Sequence, residues 1–311
     1  MTAPTVSVLV AAYNAEQTIA LAVCSALAQT AHLHEVIVVD DASTDRTLDI
    51  LHGIADSRLR VLRQSARQGP GVARNRAMEA ATGQWLAILD ADDAFEPHRL
   101  ERLFAILPHQ DQQVVLGDHW MNCRNRGATL LPWKPAKPLP SSLDLAGFLV
   151  HKPFLVKPLL PISVREMGIR YPDYFSWEDV VFMCRVLGMG YRLLLHPDPM
   201  YLYRLRRDSL SHDLRWSNIT ETVFISLLQE LDPVLDEQGR LAIEAFIHKA
   251  RNERYYLPVL QALRHRRYGM VTRLLLADRA CRHEFLRRLG PSVLQRLGIV
   301  RIPTPQTDKP S

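Results

Sequence analysis

The sequence predicts an α/β fold: a mixed, mostly parallel central sheet flanked by helices, followed by a helical C-terminal region. Three observations predict it. Apolar, β-branched runs of strand length alternate with helix-period stretches over the first 120 residues, the pattern of βαβ units. Polar or acidic residues follow directly on three of those runs, at Ala12-Tyr13-Asn14, Asp40-Asp41 and Asp90-Ala91-Asp92-Asp93. In parallel sheets ligands bind outside the carboxyl ends of the strands, so three polar loops are expected on one rim. Charge is also divided along the chain: residues 1–239 carry 23 Lys/Arg against 28 Asp/Glu, and residues 240–311 carry 15 against 5.

Taken in order, Val6 to Ala11 reads as a core strand, short and apolar, and Ala15 to Gln29 as a helix. Glu35 to Asp40 is the second strand. Ser43 or Thr44 caps a helix carrying Leu48, Ile50, Leu51 and Ile54, and Leu59 to Arg63 is the third strand. After the Gly69-Pro70-Gly71 turn a helix runs from about Val72 to Thr82, stopped by Gly83. Trp85 to Leu89 is the fourth strand, ending in the acidic cluster. A helix over Pro97 to Leu107 and a strand over Val114 to Asp118 follow. The prolines at 132, 135, 138 and 140 predict a loop. Phe154 to Pro172 is apolar with repeated prolines and gives no clear element. Trp177-Glu178-Asp179 opens a helix closed by Gly188 and Gly190, and Tyr191 to Leu195 and Met200 to Leu205 read as two strands. Beyond Trp216 the pattern is helical over Ile219 to Leu231, Arg240 to Tyr256 and Val271 to Leu289, and Pro303 to Ser311 has the composition of a disordered tail.

The 311 residues suffice for one large domain plus an appendage. The four cysteines are scattered, without a C-x-x-C pair, which points away from a zinc site or disulfide framework and towards a cytoplasmic setting. The N-terminus shows no signal-peptide pattern, and no apolar run is long enough to span a bilayer. The basic C-terminal segment suits an anionic membrane surface, although a solvated helical face would look the same. Little beyond charge speaks for nucleic acid.

The first strand is not followed by G-x-G-x-x-G, nor is there a G-x-x-x-x-G-K-[ST] loop. A nucleotide here would be held by side chains, with Tyr13 packing on a base. Three carboxylates within four positions repel one another unless a cation or a hydrogen-bond network compensates. Hard oxygen ligands of this kind suit Mg²⁺ or Mn²⁺. The competing reading is a solvated turn capping the helix after Pro97.

Val6 to Asn14, then Val38-Val39-Asp40-Asp41-Ala42-Ser43-Thr44-Asp45, then Gly71-Val72-Ala73-Arg74-Asn75, then Leu89 to Asp93 together resemble the family 2 inverting glycosyltransferases in order and spacing. The resemblance covers about residues 4–210. It implies a GT-A (nucleotide-diphospho-sugar transferase) fold over residues 1–215, a nucleotide-sugar donor and a divalent cation, Mn²⁺ or Mg²⁺. Residues 216–302 would then form a basic helical region, and 303–311 the tail. By position, Ala11, Tyr13 and Asp41 match the residues that hold the base, usually uracil. Asp41 would accept from the imide N–H. Ala12 stands where the family usually has Pro. Arg74 matches a basic position near phosphate or ribose oxygens. Asp90 and Asp92 match the two acids of the D-x-D motif, Asp92 as direct metal ligand and Asp90 facing ribose and metal. Asp93 has no assigned part beyond a helix cap.

The Glu178-Asp179 pair matches the family's catalytic acids. Inversion at an anomeric carbon requires a base for the attacking hydroxyl, a role the resemblance gives to Asp179, with Glu178 binding acceptor hydroxyls or orienting the helix start. Acids at a helix N-terminus also complement the dipole without any catalytic part. Arg204 and Arg206 fall in a basic segment, Tyr203 to His212, that would close over the diphosphate, with His212 as a further metal or phosphate contact. The expected activity is transfer of a single sugar, UDP-linked, to a glycan or lipid-linked saccharide in surface or exopolysaccharide synthesis. Two alternatives stay open: a donor-binding partner subunit without catalysis, and a D-x-D phosphohydrolase. In the phosphohydrolases the motif belongs after the first strand, whereas here it follows the fourth.

Overall fold

The computed structural model describes residues 3–107, 113–126, 129–135, 139–151, 156–174, 176–205, 216–264 and 266–277. Arg206, His212 and the expected tail lie outside the described residues. In chain order the elements are β1 (Val6–Ala12), α1 (Ile19–Leu27), β2 (Leu33–Asp40), α2 (Thr47–His52), β3 (Leu59–Arg63), α3 (Pro70–Ala80), β4 (Trp85–Asp90), β5 (Ala94–Phe95), α4 (Arg99–Ala105), β6 (Val114–Arg126) and β7 (Thr129–Pro135). They continue with β8 (Ser142–Leu143), α5 (Leu145–His151), β9 (Leu159–Pro161), α6 (Ser163–Glu166), α7 (Glu178–Gly188), β10 (Arg192–Arg204), α8 (Trp216–Leu231), α9 (Glu237–Arg264) and α10 (Tyr268–Ala277).

The strands form one mixed sheet in the order β3-β2-β1-β4-β9-β6-β10-β5, with β7 on β6 and β8 on β10. β1, β2, β3 and β4 are mutually parallel, as are β6 and β10, while β9 runs antiparallel between β4 and β6. Val6, Val8, Leu9 and Val10 are all fully buried, as are Val36 to Val39 and Leu86 to Leu89. Strands covered on both faces require such continuous apolar runs. Register brings the strand ends level: Ala12 pairs with Asp40 and Ala11 with Asp90. The three polar loops therefore leave the sheet side by side.

Two expectations are corrected. The proline-bearing stretch after residue 128 is not simply a loop, because Thr129–Pro135 forms β7. Among the described residues it pairs only with β6, and an edge strand tolerates Pro since one side needs no N–H donors. The two strands expected over 191–205 are one, β10, with register shifts between His196 and Tyr201 absorbing Pro197 and Pro199. In the unassigned 154–172 stretch, the described residues form β9 and the short α6.

The chain divides into two compact units, Met1–His212 with Ile225–Glu244, and Asp213–Phe224 with Ala245–Ser311. The first contains the whole sheet. In the second, Phe224 and Phe246 stack with centroids 4.6 Å apart, and Arg251 pairs with Glu221. No helix among the described residues is long and apolar enough to cross a membrane.

Candidate active site

The loops after β1 and β2 are laced together by short polar side chains. The Asn14 amide donates to Ser43 Oγ at 3.0 Å, the Thr44 amide donates to Asn14 Oδ1 at 2.9 Å, and the Ala15 amide donates to Thr47 Oγ1 at 2.7 Å. Asn14 itself is left-handed, at φ 47°, a conformation Asn tolerates. Tyr13 is more than one-third exposed, and the Arg67 guanidinium lies 4.0 Å from its ring centroid. Ala11 ends beside Asp90 on the neighbouring strand. Asp41 is buried and heavily used: Oδ1 accepts from Gln64 Nε2 at 2.6 Å and the Gln68 amide at 2.7 Å, and Oδ2 accepts from the Gly69 amide at 2.8 Å. It closes the loop leading into α3. A carboxylate has about four acceptor positions, so one remains on Oδ2.

A second group gathers where β4, α3 and α7 meet. Arg74, on α3, is almost fully buried. Its Nη2 donates to Asp90 Oδ1 at 2.7 Å and its Nη1 to Glu178 Oε1 at 3.1 Å. Asp179 Oδ1 also lies 2.8 Å from Nη1, but without hydrogen-bond alignment: that oxygen is buried and accepts no hydrogen bond. Lys157 completes the group. Its Nζ lies 2.8 Å from Asp90 Oδ2 and 2.5 Å from Asp179 Oδ2. Three carboxylates thus share two buried cations.

The electrostatics follow from that count. Burial alone would favour a neutral Asp90, but Lys157 and Arg74 override it and hold its carboxyl well below the usual range. Burial and the neighbouring Asp179 push Glu178 up, against the pull of Arg74. Burial opposes the charges of Arg74 and Lys157 too, but the surrounding carboxylates raise both above their ordinary values. Both therefore remain cations throughout the ordinary pH range.

Backbone geometry holds the acids in place. Trp177 precedes α7 in the left-handed region, at φ 66° and ψ 6°, a conformation costing about 1–3 kcal/mol that persists at functional sites when surroundings enforce it. It turns Glu178 and Asp179 into the first helical turn. The preceding segment is clamped to α3: Asn75 Nδ2 donates to the Tyr171 carbonyl, and the Tyr171 amide donates to Asn75 Oδ1, both at 2.8 Å. A Cβ on Gly71 would lie 2.2 Å from the Pro172 carbonyl oxygen, so only glycine permits this approach. Gly71, Arg74 and Asn75 thus bind α3 to the chain that carries the acids.

The remaining acids of the rim turn divide. Asp93 is buried and accepts from Tyr201 Oη at 2.7 Å and the Arg204 amide at 2.8 Å, tying the turn to β10. Burial, with Asp90 and Asp92 nearby, holds its carboxyl well above the ordinary value. Arg204 is buried, with Nε donating to the Asp92 carbonyl at 2.6 Å. Asp92 is half-buried in the turn. Among the described residues no three His, Cys, Asp or Glu gather as a preformed metal cage. Mg²⁺ and Mn²⁺ acting on a diphosphate need only one or two carboxylates, the remaining ligands being phosphate oxygens and water. Asp92 fits that requirement, while Asp90 has both oxygens engaged by cations.

Of the residues expected at the site, Arg74 touches Asp90, Glu178 and Asp179, and Asp92 lies in the same turn as Asp90, where its carbonyl accepts from Arg204. The sequence reading missed Lys157, Asn75, Tyr171 and Tyr201. The signal for Lys157 was a lone charge in the apolar run Val156 to Ile162.

The family model for glycosyl transferase family 2 matches residues 7–151. The succinoglycan biosynthesis protein ExoO of Rhizobium meliloti (strain 1021) is 30% identical over 286 residues, covering 88% of this chain and 82% of its own. The chain belongs to glycosyltransferase family 2. Similarity extends to the putative teichuronic acid biosynthesis glycosyltransferase TuaG of Bacillus subtilis (strain 168), 43% identical over 226 residues, or 71% of this chain and 87% of that protein. Among solved structures, S. aureus TarS residues 1–349 in complex with UDP-GlcNAc superposes with a TM-score of 0.62 at 21% identity, covering 81% of this chain and 72% of that one. The fold is accordingly GT-A, and the chain is a sugar-transferring enzyme.

Proposed function

We propose that this enzyme transfers a single sugar, with inversion, from a UDP-linked donor to a saccharide or lipid-linked saccharide of a surface or exopolysaccharide. The observation that carries the reading is the state of Asp179. One oxygen is fixed by Lys157, and the other lies 2.8 Å from Arg74 Nη1 without hydrogen-bond alignment, so it keeps its acceptor capacity. A general base needs a positioned carboxylate with an acceptor site directed at the reacting hydroxyl. Asp179 takes the proton of the attacking acceptor hydroxyl as that oxygen bonds to the anomeric carbon on the face opposite the departing nucleotide. Glu178, held towards its neutral form, binds an acceptor hydroxyl beside it.

On the donor side Tyr13 and Ala11 line the base, Asp41 offers its remaining acceptor position to the imide N–H, and Arg74 and Arg204 face the diphosphate. Arg206 belongs to the same proposed group. Asp92 would hold Mn²⁺ or Mg²⁺, which when bound neutralises charge on the departing diphosphate. Asp90 keeps Arg74 and Lys157 oriented at the edge of that site. UDP as the nucleotide is supported by the UDP-GlcNAc complex of TarS and by the name of an E. coli relative, a UDP-Glc:alpha-D-GlcNAc-diphosphoundecaprenol beta-1,3-glucosyltransferase, 46% identical over 88 residues. The second of these names also supports a lipid-linked acceptor. In α10 the exposed Tyr268, Met270 and Leu276 lie near Arg266, Arg267 and Arg273, a composition suited to an anionic membrane surface at the cytoplasmic face.

Thermal-shift titration with UDP, GDP and dTDP, with and without Mn²⁺, tests the donor assignment. UDP should raise the melting temperature most, and more with Mn²⁺, because a ligand bound only by the folded state stabilises it. No shift with any of the three would overturn the assignment.

A further inference from the structure

We propose that Lys157 is a positioning residue that joins the donor side of the site to the base. It acts by holding Asp179 Oδ2 against Asp90, which fixes the Asp179 carboxylate in one orientation, with Oδ1 2.8 Å from Arg74 Nη1. This rests on the reading of Asp179 as base. Asp90 ends β4 and Asp179 lies in the first turn of α7, so their carboxylates come from separate elements. Two carboxylates brought together repel, and only an interposed cation makes their approach favourable. Arg74 serves the Oδ1 atoms of both acids, and the Lys157 ammonium serves their Oδ2 atoms, with its side chain 5% exposed and Nζ within 2.8 Å of each.

The ammonium is fixed by its backbone. The Lys157 carbonyl accepts from Arg99 Nη2 at 2.7 Å, and Arg99 donates from Nε and Nη2 to Asp118 Oδ1 at 3.0 and 2.6 Å. Asp118 Oδ2 in turn accepts the Met200 amide at 2.9 Å. On one side of Lys157, the Pro158 carbonyl accepts the Ile88 amide of β4. On the other, Val156 packs where a Cβ on Gly117 would come within 2.7 Å of it. A long flexible side chain anchored so closely at its root and its tip acts as a fixed strut. The fully buried Arg99–Asp118 pair, otherwise remote from the chemistry, supports that strut.

Lys157→Met and Lys157→Arg are compared with the wild type by UDP release from UDP-glucose and UDP-GlcNAc, and by calorimetric titration of UDP. With Lys157→Met, kcat should fall by about 100-fold or more, the scale of a misplaced general base. The KM for the donor and the Kd for UDP should stay within about threefold, because the ammonium is committed to Asp90 and Asp179 rather than to phosphate. Lys157→Arg, which keeps the charge, should recover at least about tenfold of that loss. A large rise in Kd for UDP with kcat retained would overturn the proposal in favour of direct diphosphate binding. An unchanged kcat in a less stable protein would overturn it in favour of a purely structural role. If Lys157→Met does not fold, Lys157→Met/Asp179→Asn, which removes both charges, takes its place: greater stability than Lys157→Met supports the contact, and equal instability refutes it. A wild type that neither binds UDP nor releases it from either donor would overturn the sugar-transfer reading instead, while the Lys157–Asp179 coupling in stability would stand.

Discussion

Two of the buried charge clusters among the described residues of the sheet-bearing unit differ in balance. The Arg99–Asp118 pair has one charge of each sign and no exposure on either side chain. Every Asp118 oxygen is engaged, and Arg99 also packs over the Phe95 ring, 4.4 Å from its centroid. The Arg74–Lys157 cluster has three acids for two cations, and the acids are 12–27% exposed. The balanced, sealed pair is satisfied from within the fold, by its own contact and by the Lys157 carbonyl and Met200 amide. The partly open cluster has one acid more than its cations can pair, so Glu178 is pushed towards its neutral form while the acids stay accessible. Burial of ionisable groups therefore does not mark a site by itself; an acid in excess and access do.

The largest expected effect comes from breaking the sealed pair. Arg99→Met leaves Asp118 buried and unpaired, and should cost about 3–5 kcal/mol in urea denaturation. Replacing both partners, as Arg99→Met/Asp118→Leu, should recover much of that stability. The same treatment of Arg74 and Asp90 should not restore activity, because the proposed function places those charges at the donor.

A smaller effect comes from a third cluster, which extends the balanced class. Glu35 accepts from Ser7 Oγ at 2.8 Å, the Thr82 amide at 2.8 Å, Thr82 Oγ1 at 2.6 Å and Arg60 Nη1 at 2.5 Å. Burial opposes its ionisation, but these bonds prevail and hold the carboxyl down at about 2 from 4.5. Because the folded value is the lower one, its contribution is fully present above about pH 4.5 and is lost as pH falls towards 2. Glu35→Gln should cost about 1.5–3 kcal/mol at pH 7, and the difference from wild type should shrink as pH falls below 4.5. A difference independent of pH would remove Glu35 from this class.

The smallest stability effect should fall on Gly71→Ala, at about 1–3 kcal/mol, since α3 must move away from Pro172. Its use is to disturb the unbalanced cluster without changing a charge. UDP release should drop further than the folded fraction does, because Arg74 moves with α3. Loss in proportion to unfolding would mean that the clamp does not position the acids.

What was legible in the sequence follows from locality. Asp40-Asp41 and Asp90 to Asp93 stand directly after apolar runs, so strand ends and rim acids could be read together. Glu178-Asp179 opens a helix, and its partners were reachable through the family pattern. Lys157 was not legible because its partners, Asp90 and Asp179, are distant in sequence and its own stretch has no period. Asp93 looked like a helix cap, but it is tied to β10 by Tyr201 and Arg204, a pairing that only the sheet order creates. β7 was hidden by its prolines, which an edge position makes harmless. The family resemblance assigned Asp41 to the base, but the three donors that its carboxylate already satisfies were not legible in the sequence.

In the proposed reading Asp179 is the base, and its Oδ1, which accepts no hydrogen bond, receives the acceptor proton. Asp179→Asn preserves size and fold while removing that basicity. UDP release from UDP-GlcNAc and UDP-glucose, measured beside UDP affinity, tests it most directly. The account predicts that kcat falls by about 10²–10⁴-fold while the Kd for UDP stays within about threefold. Turnover within about threefold of the wild type, at unchanged UDP affinity, would contradict it.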